Sequence, residues 1–136
     1  MIGRIRIYAL YDMMFVKSCS IWFSTNLADD RKARDIVVLD LRKLTNIADY
    51  FVICSGDSDT QTRAIADHII NVLKEAKEKY YHYEGYEMGS WVLIDYTNVV
   101  VHIFEDKTRQ YYELERLWGD AEIIYGELPT PTRKRA

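Results

Sequence analysis

The chain has 136 residues, 49% of them apolar and eleven of them tyrosine, which fits one domain able to bury roughly two thirds of its unfolded surface. Its net charge of −3 is unevenly spread: six of the eighteen bases and one of the twenty-one acids fall in residues 1–28 and 129–136, leaving the body between them at −8. No apolar run approaches the ~18 residues of a membrane helix, and an acidic body disfavours phosphate backbones, which are held chiefly by Lys and Arg.

Residues 1–28 read as an atypical leader. Arg4-Ile5-Arg6-Ile7-Tyr8 alternates like a strand, but Asp12 and Lys17 interrupt the apolar stretches that follow, a poor signal-peptide core. The scarcity of acids is faintly similar to an organellar presequence. A loosely packed leader, or a start codon placed too early, explains it better. The folded domain is expected over residues 29–125.

Residues 28–34 form a charged helix end or turn, followed by strands over Asp35–Leu41 and Tyr50–Ser55, the second broken by Gly56. Ser58 and Gln61 have the spacing of a capping box, and Thr62, Ile65, Ala66, Ile69, Val72, Leu73 and Ala76 make one apolar stripe of a helix. Lys74, Lys77 and Lys79 close it at the end where its dipole favours cations. A short strand over residues 80–84 and a loop from Gly85 to Gly89 lead into two apolar runs, Trp91–Tyr96 and Val99–Phe104, joined at Thr97-Asn98 as a hairpin. Both runs are too apolar for a strand with one wet face, so the sheet is expected to be covered on both sides. From Lys107 the period becomes helical and places Tyr111, Leu114, Leu117 and Trp118 on one face, leaving Tyr112 and Glu115 exposed. Residues 126–136 form a flexible basic tail. Strands interleaved with two amphipathic helices give an α/β or α+β fold with a mixed sheet and flanking helices.

The candidate chemistry is thin. Asp57 and Asp59 stand one residue apart, as in metal-dependent phosphoryl or nucleotidyl transfer, with Asp40 or Asp95 as a third carboxylate. They also lie where a helix begins, and capping is the favoured reading. His102, in mid-strand, reads as a hydrogen-bonded structural residue. Cys54 reads as a small buried hydrophobe, and Cys19 and Cys54 make no disulfide framework. His68 and His82 share no ligand spacing with them. No catalytic residue, metal or cofactor is expected. Binding is the stronger theme, because Trp, Tyr and Arg carry a disproportionate share of interface energy. Trp91, Tyr96, Arg109, Tyr112, Arg116 and Trp118 gather at the ends and outer faces of the hairpin and the last helix. Periodicity leaves Trp91 open between core and interface and leans Trp118 toward the core.

Three blocks, DIVVLDLRKLTNIADYFVICSGDSDTQTRAIADHI, WVLIDYTNVVVHIF and RQYYELERLWGDA, together with the Glu84-Gly85 turn, resemble the ribosomal silencing factor family, also called Iojap-related. The resemblance runs from about residue 30 to residue 121. It implies a nucleotidyltransferase-like core without a catalytic metal site, in a cytoplasmic protein that is not an enzyme. It also implies binding to the large ribosomal subunit through large-subunit protein fourteen, a basic protein. Bound there, such factors block subunit joining and repress translation under nutrient limitation. Organellar relatives imply an alternative role in large-subunit assembly; metal-dependent nucleotidyl transfer is the alternative from another class. Carried over by motif, Trp91, Leu93 and Asp95 stand on the partner-binding strand, and Tyr112, Glu115, Leu117 and Trp118 on the YxLExLW helix. Tyr96 and Arg109 complete the expected partner-binding set. Peripheral ribosomal RNA contact and a homodimer in the free state remain open. Thr97-Asn98 departs from the family's usual Gly-Asp turn, and residues 1–28 lack its amphipathic first helix.

Overall fold

A computed structural model describes residues 27–75 and 77–128. The leader reading over residues 1–26, with Cys19, and the tail reading over residues 129–136 lie outside the described residues. The elements run β1 (Arg34–Asp40), β2 (Tyr50–Gly56), α1 (Asp59–Glu75), β3 (His82–Glu84), β4 (Trp91–Asp95), β5 (Val99–Glu105), α2 (Asp106–Tyr112), α3 (Leu114–Leu117) and β6 (Glu122–Tyr125). They form one six-stranded mixed sheet in the order β3-β4-β5-β2-β1-β6. The central pair β2/β5 is parallel and every other pair is antiparallel. The fold is α+β, as expected. Strand β6 escaped the sequence reading: its four residues, Glu-Ile-Ile-Tyr, carry too short a signal to stand apart from a loop.

Period two along the strands sorts the core into two layers. Val38, Val52, Cys54, Val92, Ile94, Val101 and Ile103 meet Ile65, Ala66, Ile69 and Leu73 of α1. Val37, Leu39, Phe51, Ile53, Val100 and Phe104 face the other way and meet Leu114 of α3. The first layer lies under a helix of 17 residues, the second under two short helices. Strands β2 and β5 are therefore buried on both faces, as their composition requires. Strand β4 is different. Its residues alternate, with Val92 and Ile94 buried and Trp91, Leu93 and Asp95 part-exposed, so the expected cover on both sides stops short of it. Among the described residues no helix is long and apolar enough to cross a membrane.

Helix α1 begins as its sequence dictates. Ser58 Oγ accepts from the Gln61 backbone N–H at 3.1 Å, and Gln61 Oε1 accepts from the Asp57 N–H at 2.5 Å, a variant of the reciprocal capping box. It ends where Lys77 takes φ 66°, with the Glu78 N–H on the Leu73 carbonyl at 2.8 Å. Lys74 lies in the last turn, while Lys77 and Lys79 stand beyond it. Thr62 Oγ1 donates to the Gly89 carbonyl at 2.6 Å, and Arg63 Nη1 donates to the Glu87 carbonyl at 3.0 Å, so α1 holds the loop that delivers the chain to Trp91. Gly85 turns that loop at φ +79°, where a Cβ would stand 2.0 Å from the Trp91 carbonyl oxygen. No other residue fits there without moving β4.

Candidate functional site

The second face of the sheet gathers most of the aromatic side chains singled out from sequence. The hairpin sets Trp91 opposite Phe104 and Leu93 opposite His102, so Trp91 lies diagonal to His102 within reach of its ring. The Trp91 indole Nε1 donates to His102 Nδ1 at 3.1 Å. Ring centroids lie 4.8 Å from Trp91 to Phe104, 5.0 Å from Trp91 to Tyr112, 4.4 Å from Phe51 to His102 and 5.8 Å from Phe51 to Trp118. One aromatic layer thus runs from β2 across β5 and β4 and out onto α2. Trp91, Leu93 and Trp118 are packed along one side and open on the other. Tyr112 is 54% exposed and Leu117, on the adjoining α3, is 74% exposed, both open for large apolar side chains.

Three expected contact residues are not on that surface. Glu115, expected to be exposed, is buried and paired with Arg109, whose side chain is only 4% exposed. Arg109 Nε donates to Glu115 Oε2 at 2.6 Å, Nη2 stands 2.5 Å from the same oxygen, and Nη1 donates to Ser55 Oγ at 2.8 Å. The cause is a break in the helix. Glu113 takes the left-handed conformation, φ 49° and ψ 53°, which ends α2 and rotates α3, so one helical period does not run through residues 107–118. The same break leaves Tyr111 and Leu117 exposed, where a continuous stripe would have buried them; Leu114 is buried as expected. The third residue, Tyr96, follows the alternation of β4 onto the α1 side. There burial raises the pKa of its phenol well above the ordinary range. Asp95 stays part-exposed: Oδ1 accepts from the Thr97 N–H at 2.7 Å, and Oδ2 lies 3.6 Å from His82 Nδ1.

Sequence reasoning read His102 as structural without a partner and passed over Phe51 and Ser55. Counting back from the Thr97-Asn98 turn would have placed His102 beside Trp91. Ser55 lies 54 residues from Arg109, and no local signal joins them.

Of the carboxylates considered for metal chemistry, Asp57, Asp59 and Asp40 are each engaged by an arginine, while Asp95 meets the Thr97 N–H and His82. Asp57 meets Arg34 at 2.6 Å, Asp59 meets Arg63 at 2.8 Å, and Asp40 receives two hydrogen bonds from the Arg42 side chain. The Arg63 hydrogen bond holds Asp59 below the usual carboxylate range, as the Arg42 bond holds Asp40. Arg34 also bridges to Asp106 at the start of α2. Asp57 and Asp59 are both ion-paired, and the side-chain cap of the helix comes from Ser58 with Gln61. Cys54 is fully buried, and burial pushes its thiol up to about 12, so it stays protonated near neutral pH.

A family model described as "Ribosomal silencing factor during starvation" matches residues 21–136. The chain is similar to the ribosomal silencing factor RsfS of Halalkalibacterium halodurans, 45% identical over 101 residues that cover 74% of this chain and 86% of that one. It is also similar to mouse "Mitochondrial assembly of ribosomal large subunit protein 1", 33% identical over 96 residues, 68% of this chain but 42% of the mouse protein. A crystal structure of a Chromobacterium violaceum protein superposes with a TM-score of 0.74 at 33% identity, covering 86% of this chain and 96% of that one.

Proposed function

The chain belongs to the ribosomal silencing factor family, and we propose that it acts as one. On this reading it binds the large ribosomal subunit in the cytoplasm through large-subunit protein fourteen, keeps the small subunit from joining, and lowers translation when nutrients are limiting. The observation that carries the reading is the open aromatic layer: Trp91, Leu93, Tyr112 and Trp118 share one side of the sheet, and Leu117 of the adjoining α3 is exposed. Such a patch suits a protein partner. The −8 charge of the surrounding body draws a basic one. Inhibition then needs only bulk, and a contact of about 1,600 Å² in total is enough for stable binding. Asp95 lies at the rim of this surface, Arg109 and Glu115 support it from within, and Tyr96 packs on the opposite face of the sheet. No step of this mechanism calls for catalysis, and Asp40, Asp57 and Asp59 are held by arginines.

The direct test is co-sedimentation with purified large subunits, followed by binding to isolated large-subunit protein fourteen. The exposed changes Tyr112→Ala and Leu117→Asp, and the half-buried Trp91→Ala, are expected to leave a folded protein. Each is expected to weaken binding by about thirtyfold or more, as hot-spot truncation does. Wild-type binding by all three folded variants would remove the surface from consideration. A second reading, escort of large-subunit assembly, is favoured by the name of the mouse relative. Depletion that accumulates immature large subunits in rich medium would select it over silencing.

A further inference from the structure

His102 is a costly residue for the place it occupies. It is 3% exposed and sits in mid-strand on the aromatic face, with Phe51 edge-on at 4.4 Å and Phe104 stacked at 6.3 Å and 13°. Nδ1 accepts the Trp91 indole N–H, so its lone pair is in use and the ring proton must reside on Nε2. That Nε2 is buried with no hydrogen-bond partner among the described residues. A leucine or phenylalanine here would bring no unsatisfied ring N–H of its own. What neither could do is accept the indole proton.

We propose that His102 is a positioning residue: as a neutral imidazole it holds the Trp91 indole N–H inward, so that Trp91 offers its partner carbon and π surface and no hydrogen-bond donor. The consequence is a specificity rule. The partner groove that receives Trp91 is apolar or cationic at that point, because the ring face attracts cations and the ring has no donor to satisfy an acceptor. This proposal rests on the reading of Trp91 as a contact residue.

The test is a double-mutant cycle on the whole chain, with His102→Leu, Trp91→Phe and both together, read two ways. In the free protein, the Trp91 indole N–H resonance, assigned by its absence from Trp91→Phe, should shift and exchange faster with solvent in His102→Leu. In binding to isolated large-subunit protein fourteen, His102→Leu should weaken affinity by about tenfold. That loss should largely vanish in the Trp91→Phe background, since the hydrogen bond is already gone. An indole resonance that does not move overturns the proposal, as does a loss of equal size in both backgrounds, the mark of a merely structural role. Should His102→Leu fail to fold, His102→Gln supplies an alternative acceptor, and indole shift and affinity must then be kept or lost together. One without the other overturns the proposal. Failure of the contact reading looks different: Trp91→Ala itself would then bind as wild type.

Discussion

His102 links the aromatic face to the protein's response to acid. Burial among aromatic rings lowers its pKa to about 3, against about 6.5 for the unfolded chain. Between those values the unfolded chain takes up a proton that the folded one refuses. Its contribution to stability is therefore complete above pH 6.5 and lost as pH falls. From pH 7 to pH 5 this residue alone should remove about 2 kcal/mol, measurable by urea denaturation at each pH. His102→Gln should flatten that slope; parallel curves for the two proteins would show that the imidazole takes up its proton in the fold as readily as in the unfolded chain. Trp91 keeps its acceptor over that range, because Nδ1 in the folded protein takes up a proton only as pH approaches about 3.

The elements that present the surface owe their angles to two left-handed residues. Glu113 ends α2 and turns α3 so that Leu114 and Glu115 go in while Leu117 goes out. The Arg109–Glu115 pair ties this corner to Ser55 on β2. Glu115→Ala leaves a buried guanidinium unpaired and should cost about 3 kcal/mol or more in chemical denaturation. Replacing both partners, Arg109→Met with Glu115→Leu, should recover most of it, because desolvation of the charges is then no longer required. At the hairpin, Thr97 adopts φ 76°, a conformation that a β-branched residue tolerates poorly. Thr97→Gly should therefore stabilise the protein by about 1 kcal/mol, seen as a higher melting temperature with unchanged binding. This is the position where the Thr97-Asn98 turn departs from the Gly-Asp expected of relatives. The departure keeps the hairpin but places its strain on Thr97.

At the scale of the whole molecule, charge and shape divide the work. On the proposed reading, an acidic body steers a basic partner over distances of about a Debye length, and the aromatic layer supplies contact affinity. Raising salt from 50 to 500 mM should slow association with large-subunit protein fourteen by about tenfold while changing dissociation little. Leu117→Asp should do the reverse and speed release, as stopped-flow or surface-binding kinetics can separate. An association rate indifferent to salt would show that the −8 charge serves solubility alone. By itself the sequence determined the strands from β1 to β5, the long helix with its cap, the hairpin and the family. Alternation, helical period and capping are local, and each is repeated over enough residues to be read. It also indicated that Trp91, Tyr112 and Trp118 gather at one end of the hairpin and the last helix. The tertiary structure alone decided which of these side chains stay open. One residue in the left-handed region reset the helical phase, so Glu115 went in and Leu117 came out. A serine 54 residues from Arg109 helps hold that corner, and a histidine on the neighbouring strand turned the tryptophan's only donor inward. Phase shifts at a single residue and contacts between distant ones leave no periodic trace in a chain, so neither was legible before the fold.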